Sequence, residues 1–135
     1  MMKTSHVKYL GELQTKITHL KSGDAGMTDA PTDNNGKGSR FSPTDLTATS
    51  LASCMITMIG IHCDQTNIQF DHAEAFVTKV MESNPRRIIE IKVELDLSGN
   101  NFPQELHERL TRIAKTCPVA NSLNPEINQL LEIKF

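Results

Sequence analysis

Three cysteines, Cys54, Cys63 and Cys117, carry the reactive chemistry available to this chain. A thiol attacks as its thiolate, so the local charge, burial and backbone around each sulfur decide what it can do. Cys54 ends the run Ser42-Pro-Thr-Asp-Leu-Thr-Ala-Thr-Ser-Leu-Ala-Ser-Cys54. Ser42 suits a helix N-cap because its hydroxyl accepts from an orphan N–H, and Pro43 loses nothing at the first helical position. Asp45, three residues past Ser42, completes a short capping box and sits at the positive end of the helix dipole. Beyond it the chain stays nearly uncharged to Ile61, through Leu46, Ala48, Leu51, Ala52, Met55, Ile56, Met58 and Ile59. The pattern predicts a helix apolar on all sides, hence buried, with Cys54 mid-way along it. Free cysteine commonly packs as a small hydrophobe, and that plainer role stays open for Cys54.

Cys117 has a second special context, Thr116-Cys-Pro-Val-Ala-Asn-Ser-Leu123. Pro118 stops a preceding helix and can begin a new one, which places Cys117 at a helix N-terminus. There the dipole is expected to lower the thiol pKa. Leu106, Leu110 and Ile113 fall at helical spacing, and their stripe continues onto Cys117, so Cys117 should face the same core as Cys54. Two inward thiols in a chain without an export signal suggest redox chemistry. Cys63 follows Cys54 by nine positions, about 13.5 Å along a straight helix and half a turn out of phase. The two cannot pair within that helix. His62 beside Cys63 invites a metal reading, but adjacent helical residues diverge and no matching ligand pair exists elsewhere. No metal is expected, and Cys63 reads as a spectator.

Several elements must position these thiols. Val7 to Tyr9 and Leu13 to His19 read as strands, with turn chemistry at Gly11 and Lys21-Ser-Gly-Asp24, and Met27 to Ala30 as a third. A polar loop, Pro31 to Ser39, leads to the helix cap, either as a solvated connector or as a flap. After the helix, His72 to Met81 reads as a strand. Ile89, Ile91, Val93, Leu95 and Leu97 alternate with Glu90, Lys92, Glu94 and Asp96, which predicts a long strand with one wet face. Ser83-Asn-Pro-Arg joins the two as a hairpin. A helix from about Pro103 to Thr116 and a strand from Ile127 to Phe135 complete an α+β order in one domain, residues 1–135.

These residues resemble the OsmC/Ohr family. The likeness rests on Ser42-Pro-Thr-Asp-Leu46, a small-residue helix ending in Ser53-Cys54, and the distal Cys117-Pro-Val followed by Ser122-Leu123. It covers essentially the whole chain, including Thr28-Asp-Ala-Pro31 and the strand entry Asn84-Pro-Arg-Arg-Ile-Ile-Glu-Ile91. The resemblance implies an OsmC-like α+β fold with antiparallel sheets packed around a buried cysteine-bearing helix, made as an intertwined homodimer. It also implies an antioxidant, stress-response role: thiol-dependent reduction of organic or inorganic hydroperoxides without a cofactor. Cys54 would be attacked by peroxide, Cys117 would resolve the sulfenic acid as a disulfide, and an external thiol would reduce it. Leu51, Met55 and Met58 would line the substrate pocket. Asp45, or its neighbour Thr44, would orient an active-site arginine. Family peroxidases carry that arginine in their N-terminal strands, whereas the first forty residues here hold only Arg40. Arg86 and Arg87 are weaker substitutes, and lysine does not replace a bidentate guanidinium.

Composition narrows the remaining classes. A net charge of -2 and a pI near 6.2 give no reason to expect nucleic acid or an anionic membrane as partner. Tryptophan is absent and aromatics make up 4%, against a base-stacking surface. The start Met1-Met-Lys-Thr-Ser-His6 lacks a signal-peptide core, and Leu51 to Ile61 is too short for a membrane span, so the cytoplasm is expected. Two alternatives to an enzyme stay open: a small-molecule binding module that uses the same pocket, and a structural homodimer with packed thiols.

Overall fold

Gly11, Glu12 and Leu13 all take positive φ, at 89°, 56° and 64°, and this left-handed stretch reverses the chain between the first two strands. β1 (Ser5–Gly11) and β2 (Gln14–His19) pair antiparallel with Val7 opposite Ile17. β3 (Ala25–Asp29) adds to β2, where the Thr15 and Thr28 hydroxyls meet at 2.5 Å. The computed structural model describes residues 1–135 and falls into two compact units, Met1–Leu46 and Thr47–Phe135. The three-stranded sheet belongs to the first. No apolar side chain of that unit is fully buried; its buried residues are Thr28, Asp29 and Ser42. Val7 and Tyr9 are 61% and 64% exposed. After β3 a short 3-10 turn, Thr32–Asn34, opens the polar loop. Gly36 is required in it, because a Cβ there would overlap the Ala30 carbonyl.

The first unit ends on the opening turn of α1 (Pro43–Gln65). That turn is closed reciprocally: the Asp45 N–H donates to Ser42 Oγ at 3.0 Å, and the Ser42 N–H donates to Asp45 Oδ2 at 2.9 Å. The apolar stretch 51–61 is therefore the centre of a longer helix. With 23 residues and a mean hydropathy of 1.5 over its most apolar window, α1 has the length and composition of a membrane span. Its packing is that of a core helix. Ala48, Leu51, Ala52, Met55, Ile59 and Cys63 form one buried stripe. Burial on all sides, the expectation from composition, is not what one chain shows. Ser53 and Thr57 lie exposed and Ile61 is 43% exposed, because a single sheet with two helices covers only one face.

The second unit contains that sheet, ordered β4-β5-β6: β4 (Glu74–Glu82), β5 (Arg87–Asp96) and β6 (Asn128–Lys134). β4 and β5 form the expected hairpin, with a cis Asn84–Pro85 bond in the turn. A shift in pairing between Val80 and Met81 leaves Ile89 without a partner, so the inward phase passes to Ile88 rather than Ile89. Ile91, Val93 and Leu95 then point inward as expected. The expectation of wholly antiparallel sheets is corrected here, since β6 runs parallel to β5. Parallel neighbours need a long crossover, which α2 (Gln104–Lys115) and α3 (Pro118–Ser122) supply. Leu110 and Ala114 of α2, fully buried, join Leu51, Met55 and Ile59 against β5 in one core cluster.

Candidate functional site

Cys117 stands where α2 has ended and α3 begins. Its extended backbone, φ -65° and ψ 156°, makes it the N-cap of α3, with Pro118 in the first helical position. The Ala120 N–H donates to Cys117 Sγ at 3.5 Å, and Gln129 Nε2 donates to the Ala120 carbonyl at 3.1 Å, which ties α3 to β6. Cys117 is wholly removed from solvent, while Cys54, on α1, is half-buried and packs against the same cluster. Both thiols are free and belong to one apolar cluster.

The electrostatics of Cys117 correct the expectation of a depressed thiol pKa. Burial pushes it up, and Cys54 pushes the same way. The N–H groups of Ala120 and Val119 pull it down but do not win. A helix of five residues has too few aligned peptide dipoles to offset full desolvation of a thiolate. Cys63 is also raised, first by burial and then by the charge of Asp64; it sits in the core at the far end of α1.

The other candidates are distributed as follows. Leu51 and Met55 are spent on the core, at 0% and 2% exposure, whereas Met58, one turn beyond Cys54, is half-buried. In the N-terminal unit Arg40 is exposed and, with Gly26, Met27, Gly38, Ser39, Phe41 and Asp45, lines a hollow of about 570 Å³. Thr44 lies beside Ser42 in the cap, its hydroxyl 3.2 Å from Ser42 Oγ. Arg87 is held by Glu82 and Glu126 at the β4–β5 turn.

Asp29 is a residue that spacing alone did not single out. Its Oδ2 accepts from both the N–H and the hydroxyl of Ser39, at 3.0 and 2.6 Å, and its own N–H donates to the Phe41 carbonyl at 3.1 Å. Asp29 thus clamps the chain on both sides of Arg40. The Ser39 hydrogen bonds hold its carboxyl below the ordinary carboxylate range despite burial. The signal present in the sequence was an acid just before Ala30-Pro31, at the end of a strand that opens a polar loop.

Comparison with known proteins places this architecture. The family described as OsmC-like protein matches residues 36–131. A crystal structure of a proposed osmotic stress induced and detoxification response protein from Psychrobacter arcticus is 45% identical, with a TM-score of 0.94, covering 99% of this chain and 97% of that one. An organic hydroperoxide resistance protein OsmC from Legionella pneumophila gives a TM-score of 0.77 at 16% identity, over 100% of this chain and 99% of its own. The organic hydroperoxide resistance protein OhrB of Bacillus subtilis gives 0.66 at 18% identity, over 98% of each chain. No curated protein matches in sequence. By the family match over residues 36–131 and the close likeness to the Psychrobacter structure, the chain belongs to the OsmC-like protein family.

Proposed function

We propose that this protein reduces small organic or inorganic hydroperoxides with a two-thiol cycle, as a cytoplasmic homodimer built from one OsmC-like domain per chain, residues 1–135. The observation that carries the proposal is the pair of free thiols packed in one apolar cluster, one half-buried and one sealed in the core. The names of the Legionella and Bacillus relatives, both organic hydroperoxide resistance proteins, point to the same substrate class.

In this cycle the Cys54 thiolate attacks the outer peroxide oxygen. The O–O bond breaks, an alkoxide leaves and takes a proton from water, and Cys54 becomes a sulfenic acid. Cys117 then attacks the Cys54 sulfur; its own proton leaves with the hydroxide as water, and a disulfide forms. An external thiol restores both sulfurs. Met58 walls the approach to Cys54, with Leu51 and Met55 behind it. Arg40 is the candidate for the guanidinium role and Asp45 for its orientation, since Arg87 is already engaged by two carboxylates. Arg40→Ala is expected to slow peroxide consumption roughly 10- to 100-fold with all thiols intact, the scale of one lost charge-assisted hydrogen bond.

Equimolar peroxide followed by thiol counting tests the cycle. Loss of two thiols per chain, recovered by added dithiol, is the expected result. Retention of all three would leave a binding module or a structural homodimer instead.

A further inference from the structure

The polar loop after β3 closes on itself through its own backbone. The Gly36 N–H donates to the Pro31 carbonyl at 2.9 Å, and the Gly38 N–H donates to the Ala30 carbonyl at 3.1 Å. Gly38 takes a left-handed φ of 62°, which an L side chain rarely adopts. Asp29, wholly removed from solvent, makes neither of those bonds. Its own fall on Ser39 and Phe41, the two neighbours of Arg40. Oδ2 accepts both Ser39 donors, and the Asp29 N–H donates to the Phe41 carbonyl. Asp29 is the last residue of β3 and pairs with Gln14 of β2, so the anchor is sheet rather than loop. One residue past Phe41, Ser42 is fixed by Asp45. Arg40 is the exposed residue between these holds, and it lines the hollow of the N-terminal unit with Met27 and Phe41.

A buried carboxylate is costly unless hydrogen bonds offset its lost hydration, and a loop already closed by its own backbone does not require one. We infer that Asp29 is a positioning residue for Arg40: by holding Ser39 and Phe41 against β3 it fixes the backbone from which the guanidinium reaches the hollow. An arginine on a glycine-bearing loop would otherwise spread over many backbone states, and few of them would present its planar fork in one direction. Ser39 gives both its hydroxyl and its N–H, and bonds to a charged acceptor are the stronger kind. A strand end thus lends its order to a loop residue without touching substrate itself. The inference rests on the reading that Arg40 supplies the guanidinium of the peroxide reaction, and adds the residue that sets its place.

Order at Arg40 is read first, by the heteronuclear NOE of its backbone amide in the unsubstituted protein, Asp29→Ala and Asp29→Asn. The amide should be as rigid as those of β3 in the unsubstituted protein and lose that order in Asp29→Ala. Asp29→Asn retains an acceptor for Ser39 and should keep most of it. Peroxide consumption is then compared with and without the Arg40 side chain. Asp29→Ala should lower kcat/KM roughly tenfold when Arg40 is present, and less than about twofold in the Arg40→Ala background. A purely structural role would cost the same factor in both. An Arg40 amide that stays ordered in Asp29→Ala overturns the inference, as does an equal loss in the two backgrounds. Should Asp29→Ala fail to fold, judged by its β4–β6 amides, Ser39→Ala removes the hydroxyl bond alone and should show the same pattern at smaller amplitude. An unchanged Arg40 amide there overturns the inference as well. If Arg40→Ala consumes peroxide at the unsubstituted rate, the role assigned to Arg40 falls, and the NOE alone decides whether Asp29 places it.

Discussion

Cys54 and Cys117 differ in exposure more than in identity, and the proposed two-thiol cycle takes its order from that difference. In that proposed cycle a peroxide arriving from solvent would meet the half-buried sulfur, and the sealed one would attack the sulfenic acid formed there. Cys54→Ser should therefore abolish peroxide consumption. Cys117→Ser should allow one oxidation per chain, trapped by dimedone on Cys54; a trapped adduct on Cys63 would reverse the assignment. The inward phase of Cys117 was legible from Leu106, Leu110 and Ile113, because a helical stripe is a local property. The direction of its pKa shift was not, since it depends on burial by elements distant in sequence. Asp29 is a second case of the same kind. Its carboxyl is depressed in the folded state, so its hold on Ser39 is fully present above the ordinary carboxylate range and is lost as pH falls through the lower folded value. Amide exchange at Ser39 should thus accelerate, relative to intrinsic rates, below about pH 4. Asp29→Ala should show that acceleration already at neutral pH, with β4–β6 amides unchanged.

α1 is specified twice, by its cap and by its buried stripe, and each can be probed separately. Ser42→Ala removes the hydroxyl that accepts the Asp45 N–H and should cost about 1 kcal/mol in denaturant unfolding, with the free-thiol count unchanged. A loss below about 0.3 kcal/mol would mean that Pro43 and Asp45 hold the turn by themselves. The same capping box, the alternation of β5 and the stripe of α2 were all readable, because each is written within one or two turns of chain. Two features at this scale were not. The Ile88-for-Ile89 exchange depends on where β4 and β5 slip by a residue, a matter of pairing rather than of hydrophobic pattern. The direction of β6 was equally hidden, because apolar alternation from Ile127 to Phe135 reads the same in a parallel or an antiparallel neighbour.

The distribution of buried surface over the chain gives the strongest argument about assembly. Every fully buried apolar side chain lies between Ala48 and Ala120, and the N-terminal sheet contributes none. A three-stranded sheet that buries no apolar side chain is marginal in water. Val7, Tyr9, Leu10 and Leu13 are all exposed on and beside β1. In the other unit Ile61, on the uncovered side of α1, and Phe76, on the outer side of β4, are also exposed. Scattered singly these would need no explanation, but a run of apolar residues along one strand marks an interaction surface. In the homodimer proposed above a second copy would cover these residues, and a permanent dimer would bury more than about 2,000 Å² in a largely apolar interface. Light scattering at micromolar concentration should find a dimer, and its thermal midpoint should rise with protein concentration, since association stabilises by mass action. Val7→Glu combined with Tyr9→Glu should weaken that dimer and lower the midpoint, because two carboxylates would then have to be desolvated in each strand. A double variant that remains dimeric at the lowest measurable concentration would remove β1 from the interface. A stable monomer in the unsubstituted protein would remove the dimer itself.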